Sequence, residues 1–149
     1  AKDLGFVSEL KDINPELIEK LIEDGYIPVI APVGVNDRGE GLNINADSVA
    51  GELAASLKAE KLIYLTDVNG IRCDAEDADS RVSQLTFTEI KKWIAEGRIQ
   101  GGMLPKVRGC MRAVDSGVVR THILNGLVAH PLLLEIFTDQ GVGTMIIKE

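Results

Sequence analysis

The sequence predicts an α/β protein, a three-layer α/β/α sandwich built on a mainly parallel sheet with a protruding β-hairpin. Three observations predict it. Short apolar runs of strand length alternate along the chain with stretches whose apolar residues recur at helical spacing. The runs near residues 27–31, 61–66 and 119–124 read as buried strands, which suits a sheet covered on both faces. No internal repeat or linker breaks the alternation, and 149 residues suffice for one domain with a real core.

Taken in order, Phe6 and Val7 resemble part of a strand. Asn14 can cap a helix and Pro15 suits its first position. Leu17, Ile18, Leu21 and Ile22 then form a helical stripe that Gly25 ends. The strand at 27–31 leads to "NDRGEG" at 36–41, turn chemistry that predicts a hairpin. Residues 47–57, rich in Ala and Leu, read as a helix, and "KLIYLTDVNGI" as a strand leaving through a loop. "RCDAEDADSRV" is polar and reads as exposed. A helix over 87–95 takes Thr86 or Thr88 as its N-cap. "GRIQGGMLPK" reads as a Gly-rich connection before a helix at 107–116 closed by Gly117. A third strand at 119–124, a helix in "HPLLLEIF" and a last strand in "GTMIIK" complete the chain.

The totals exclude several classes. A net charge of −7 argues against a general nucleic-acid grip, although lysines and helix N-termini can still bind phosphate. Cys73 and Cys110 lack metal-site spacing and make no disulfide framework, which fits a reducing compartment. No apolar run reaches membrane-spanning length and no signal peptide is visible, so a cytoplasmic protein is expected. The opening "AKDLGFVSEL" lacks Met and suits either the later part of a longer chain or a tag-free whole domain.

In such sheets ligands collect beyond the carboxyl ends of the strands. Three segments there carry candidate chemistry. In "LNINADSVAG", residues 42–51, Asn43, Asn45 and Asp47 crowd the mouth of a helix that needs only one cap. Asn45 or Asp47 can cap while Asn43 closes the hairpin, or the surplus can hold a ligand. In "LTDVNG", residues 65–70, Thr66 and Asp67 end a buried strand beside an Asn69-Gly70 turn, either a nucleotide cradle or an ordinary strand exit. In "GGMLPK", residues 101–106, glycines permit close approach to a phosphate and Lys106 can reach a transferred group; the alternative is a turn with a solvated lysine. The Walker A spacing is absent.

"NINAD", "LTDVNGI", "IQGGMLPKV" and "HPLLLEIFTDQGVGTMI", in this order, resemble the acetylglutamate kinase family of the amino-acid kinase superfamily, which takes part in arginine biosynthesis. The resemblance begins at "DLGFV" and covers essentially the whole chain, as roughly the second, nucleotide-binding half of such an enzyme. It implies the carbamate kinase-like fold and phosphoryl transfer from ATP to the side-chain carboxylate of N-acetyl-L-glutamate. Mg2+ is then held mainly by the phosphates, with no metal site in the protein. A carboxylate with a pKa of about 4.3 is already ionised at neutral pH, so no general base is required. Catalysis rests on positioning and charge stabilisation.

By the same resemblance Lys106 stabilises the transition state and Asp47 organises that lysine and a second one. Asn43 binds acetylglutamate, and Asn45 remains a cap or hairpin contact. The loop of Thr66, Asp67, Val68 and Asn69, with Gly70, Ile71 and Arg72, borders ATP. So do Arg98, Ile99 and Gln100, with Gly101 and Met103. There are departures. The family's early glycine-rich phosphate loop with its lysine, and its arginine-bearing substrate segment, are not in this chain. Ser8 stands where the family often has Gly, and the stretch around Cys73 and Asp79 is longer than in some relatives. The chain therefore reads as a fragment whose isolated activity is not expected.

His122, inside a strand, reads as packed. His130 precedes a segment that lines an arginine effector site in arginine-inhibited members. There Glu135 matches the glutamate that contacts the guanidinium, with Gly141 and Gly143 beside it. The alternative is a helix packing its leucines with Glu135 solvated. The resemblance also implies a homo-oligomer and a PII signalling protein as a candidate partner. Two other readings stay open: a glutamate 5-kinase or carbamate kinase type of enzyme, and a regulatory module that senses arginine.

Overall fold

The computed structural model describes residue 10 and residues 13–74, 77, 80–138 and 141–149. The expectations for Phe6, Val7, Ser8 and Asp79 fall outside them.

Helix α1 (Glu16–Glu23) starts where expected, with Asn14 Oδ1 accepting the Glu16 N–H at 3.0 Å. Its apolar stripe is present but only partly covered: Ile18 and Leu21 are half-buried, and no residue of α1 is fully buried. The expected buried strand at 27–31 is also corrected. Among the described residues the run pairs with no strand, and Ile27 is 91% and Val29 97% exposed. A strand needs a neighbour for its amides and a surface for its side chains, and the described part of this chain offers neither here.

The hairpin forms as predicted. Strands β1 (Val33–Val35) and β2 (Gly41–Asn43) pair antiparallel, with Val33 opposite Asn43. Asn36 Oδ1 closes the turn by accepting the N–H groups of Arg38 and Glu40. Helix α2 (Ala46–Ser56) follows and leads into strand β3 (Lys61–Thr66). Strand β4 (Gln84–Thr86), only three residues long, is not anticipated by the sequence pattern. Helix α3 (Phe87–Ala95) is capped by Thr86, not Thr88, in a capping box with Glu89. Helix α4 (Met103–Asp115) begins ahead of the expected residue 107, because Pro105 falls in the first turn, where no intrahelical donor is needed. Strand β5 (Arg120–Asn125), helix α5 (Pro131–Phe137) and strand β6 (Thr144–Ile147) end the fold.

The main sheet runs β3-β5-β6-β4. The β3/β5 and β4/β6 pairs are parallel and the β5/β6 pair is antiparallel, a mixed but mainly parallel sheet. Tyr64 stands opposite Ile123, and both pack with Ala54 of α2 and with Val107, Cys110 and Ala113 of α4. His122, one residue along, points the other way and meets Glu135 of α5. Helices thus cover both faces, which gives the three layers expected.

Candidate active site

Thr66 and Asn125 are register partners, so parallel β3 and β5 open their carboxyl ends on one edge of the sheet. Helices α2 and α4 each run back along the sheet before entering these strands, which sets their N-termini at the same edge. Two glycines let the helices touch. A Cβ on Gly51 would lie 2.8 Å from Gly109 Cα, and one on Gly109 would lie 2.1 Å from the Tyr64 hydroxyl. Bare backbone at both positions is the condition for this approach.

One turn towards the N-termini from this contact, Lys106 Nζ lies 2.9 Å from Asp47 Oδ2. The two side chains retain 18% and 20% exposure, so the pair is sheltered yet open to a ligand. Asp47 is not the helix cap. Asn45 is, with its Oδ1 accepting the Ser48 N–H at 3.1 Å. This resolves the crowding of polar residues: Asn45 caps, which leaves the Asp47 carboxylate to hold the lysine. Asn43, at the end of β2, is exposed and its side chain makes no hydrogen bond among the described residues.

The loop after β3 is held from within. Gly126 donates its N–H to the Thr66 carbonyl at 2.7 Å, and Thr66 Oγ1 bonds Asp67 Oδ1 at 3.2 Å. The Gly70 N–H donates to the Val68 carbonyl, and Asn125 Nδ2 to Asn69 Oδ1 at 2.6 Å. Gly70 has a φ of +84° and is pressed against Thr144, whose Oγ1 accepts the Ile71 N–H at 2.9 Å. Arg72 sits in a β-bridge with Arg81. Asp67 and Asn69 face solvent.

The second predicted border is tied to the first. The Arg98 guanidinium stacks 3.8 Å over the Trp93 ring and donates to the Cys73 carbonyl. Ile99 is buried in the core, so its side chain packs instead of facing a ligand. Gln100 and Gly101 are exposed, and Met103 opens α4 with its side chain against the core. The N-terminus of α4 has no side-chain cap, leaving amides and partial positive charge beside Lys106. The expected "GGMLPK" loop is therefore a helix start, a geometry suited to phosphate. Among the described residues no three His, Cys, Asp or Glu side chains gather to hold a metal ion. No helix there is long and apolar enough to cross a membrane.

On the opposite face Glu135, Gly141 and Gly143 also come together. Glu135 Oε2 accepts the N–H groups of Val142 at 2.7 Å and Gly143 at 3.2 Å, and Oε1 lies 2.7 Å from His122 Nδ1. Glu135 is not solvated, which corrects that alternative: its side chain is 9% exposed and that of His122 8%. Burial pushes His122 below its ordinary pKa, against the opposing pull of Glu135. The pair borders a cavity of about 260 Å³ shared with Arg81, Arg120 and Gly141.

Sequence reasoning missed Tyr64, Gly51 and Gly109, the residues that set the spacing of α2 and α4. Glycines inside two helical stretches were the available signal.

Comparisons with known proteins give the chain's family and fold. The chain is 63% identical over 147 residues to an acetylglutamate kinase from Halothermothrix orenii, covering 99% of this chain and 51% of that protein. It spans about half the length of the curated relatives it matches. The structure of N-acetylglutamate synthase from Neisseria gonorrhoeae, complexed with coenzyme A and L-arginine, superposes with a TM-score of 0.86 at 30% identity, over 97% of this chain and 33% of that one. Carbamate kinase from Giardia lamblia bound to AMP-PNP shares the fold, with a TM-score of 0.67 at 24% identity over 90% of this chain and 44% of its own. The profile that describes the amino acid kinase family matches residues 1–125, and a lysine held by an aspartate between two glycine-packed helices lies within that span. The chain belongs to the amino acid kinase family.

Proposed function

We propose that this chain is the nucleotide-binding half of an acetylglutamate kinase, which transfers a phosphoryl group from ATP to the side-chain carboxylate of N-acetyl-L-glutamate in arginine biosynthesis. The observation that carries the reading is the Lys106–Asp47 pair at the strand ends, beside an uncapped helix N-terminus. The high identity to a curated acetylglutamate kinase supports the substrate. Both reactants are anions, so the site must supply positive charge where the phosphoryl group crosses. Lys106 is that charge, and Asp47 fixes its direction. Asn43, close in sequence to Asp47 and without a side-chain hydrogen bond among the described residues, binds acetylglutamate. Thr66, Asp67, Asn69 and the loop through Arg72 border the nucleotide, with Gln100 and Gly101. Mg2+ rides on the phosphates and needs no protein cage. The exposed run at 27–31, and Leu17 and Ile22 exposed on α1, fit a chain whose substrate-binding part lies elsewhere in a longer cytoplasmic protein.

Arginine is proposed as a feedback ligand at Glu135, Gly141 and Gly143. The fold shared with an N-acetylglutamate synthase that is complexed with L-arginine supports it. A guanidinium there has to displace His122 or join it, because Glu135 already has three partners. A homo-oligomer and a PII-type partner belong to the same proposal.

A substrate panel on the full-length protein tests it. Acetylglutamate-dependent ADP formation, with glutamate and carbamate inert, is the expected result. The isolated chain should bind ATP weakly and make no acetylglutamyl phosphate. Preference for glutamate or carbamate assigns another amino acid kinase, and arginine binding without nucleotide binding assigns a regulatory module.

A further inference from the structure

We propose that Tyr64 is a positioning residue for phosphoryl transfer, acting through Asp47 and never touching substrate. The inference rests on the acetylglutamate kinase reading above and adds a residue to it. Tyr64 is buried on β3, beneath the crossing of α2 and α4. Its hydroxyl donates to the Asp47 main-chain carbonyl at 2.6 Å. It also fills the space that two absent side chains leave. A Cβ on Gly109 would lie 2.1 Å from that hydroxyl, and one on Gly51 3.2 Å from it. One polar atom of the sheet is thus enclosed by the Asp47 carbonyl and by both glycines.

The position in each helix matters. Gly51 lies four residues after Asp47 and Gly109 three after Lys106, so each glycine shares a helix face with its member of the ion pair. The hydroxyl is therefore a spacer one turn below the ion pair. It ties the first turn of α2 to the sheet and fixes how near α4 approaches. Burial, with Cys110 and Asp47 nearby, raises the phenol pKa and keeps it a donor. The Asp47 carbonyl belongs to the helix backbone, so this bond leaves the carboxylate to Lys106. A phenylalanine would keep the ring and lose only the tether.

A double-mutant cycle on the full-length kinase tests this. Tyr64→Phe should lower kcat roughly tenfold with both KM values within about twofold of wild type, because binding groups are untouched. In an Asp47→Asn background the same change should alter kcat less than about twofold, since its route is already cut. Equal effects in both backgrounds, or an unchanged kcat in the single variant, overturn the proposal. If Tyr64→Phe does not fold, Gly109→Ala replaces it, crowding the hydroxyl with the phenol retained, and the same two outcomes decide. A second measurement needs no activity. The Lys106 ammonium protons, shielded by pairing, should give an NMR signal in the wild-type protein that Tyr64→Phe broadens away. Persistence of that signal in the variant overturns the coupling. Loss of the signal in a protein that never phosphorylates acetylglutamate leaves the coupling standing and removes the assigned reaction.

Discussion

Lys106 Nζ and Asp47 Oδ2 stand 2.9 Å apart, although 59 residues separate them in the chain. A pair this sheltered gains Coulomb energy but loses hydration, so its net contribution to stability is small. Direction is the better account of it. The carboxylate holds the ammonium on the side where α4 begins and the phosphoryl group is proposed to pass.

Asp47→Asn separates this role from a structural one. Asn45 already caps α2, so the substitution leaves the cap intact. The helix loses one favourable charge in its first turn, about 0.3–1 kcal/mol. A melting temperature within a few degrees of wild type is expected in the full-length kinase, with kcat lower by about a hundredfold. A near-normal rate would return Asp47 to an ordinary first-turn carboxylate.

Gly109→Ala tests the helix contact. The new methyl would meet the Tyr64 hydroxyl and ring and approach the Asp47 carbonyl. Overpacking of this kind costs about 1–3 kcal/mol. Denaturant unfolding should show that loss, while Gly41→Ala, in open space and without a positive φ, should leave the midpoint close to wild type. An unchanged midpoint for Gly109→Ala would mean the helices can part freely.

His122 sets a pH dependence. Its folded-state pKa lies below the ordinary value of 6.5, so the folded form resists a proton that the unfolded chain accepts. The contribution to stability is full above pH 6.5 and is lost as pH falls towards the folded pKa. Melting temperature should drop as pH falls below 6.5, and the drop should shrink in His122→Gln. A variant whose acid profile overlays the wild type places the sensitivity elsewhere.

Much of this was legible in the sequence, for physical reasons. The hairpin followed from Asn36 and the glycines near it, whose turn chemistry is local. The α3 cap was narrowed to Thr86 or Thr88, and the box that Thr86 forms with Glu89 selects the first. The roles expected of Lys106 and Asp47 came from the resemblance, and only the fold brings the two side chains together. What failed depends on distant partners. Ile27 and Val29 have the composition of a buried strand, yet burial needs a neighbour that composition does not reveal. The Gly-rich connection was expected to run to Lys106, although a helix tolerates Pro105 in its first turn. Leu85 belongs to a strand too short to show a period. Glu135 gave no sign that His122 would already occupy it. Tyr64 looked like one apolar residue among several in a strand, and its hydroxyl matters only because Gly51 and Gly109 lie against it.

Lys106→Ala in the full-length kinase, assayed with ATP and acetylglutamate, tests the central claim most directly. A cation aimed at developing charge acts in the transition state, so kcat should fall by about a hundredfold or more with KM for ATP nearly unchanged. A raised KM for ATP with kcat intact would make Lys106 a ground-state phosphate contact and contradict the account.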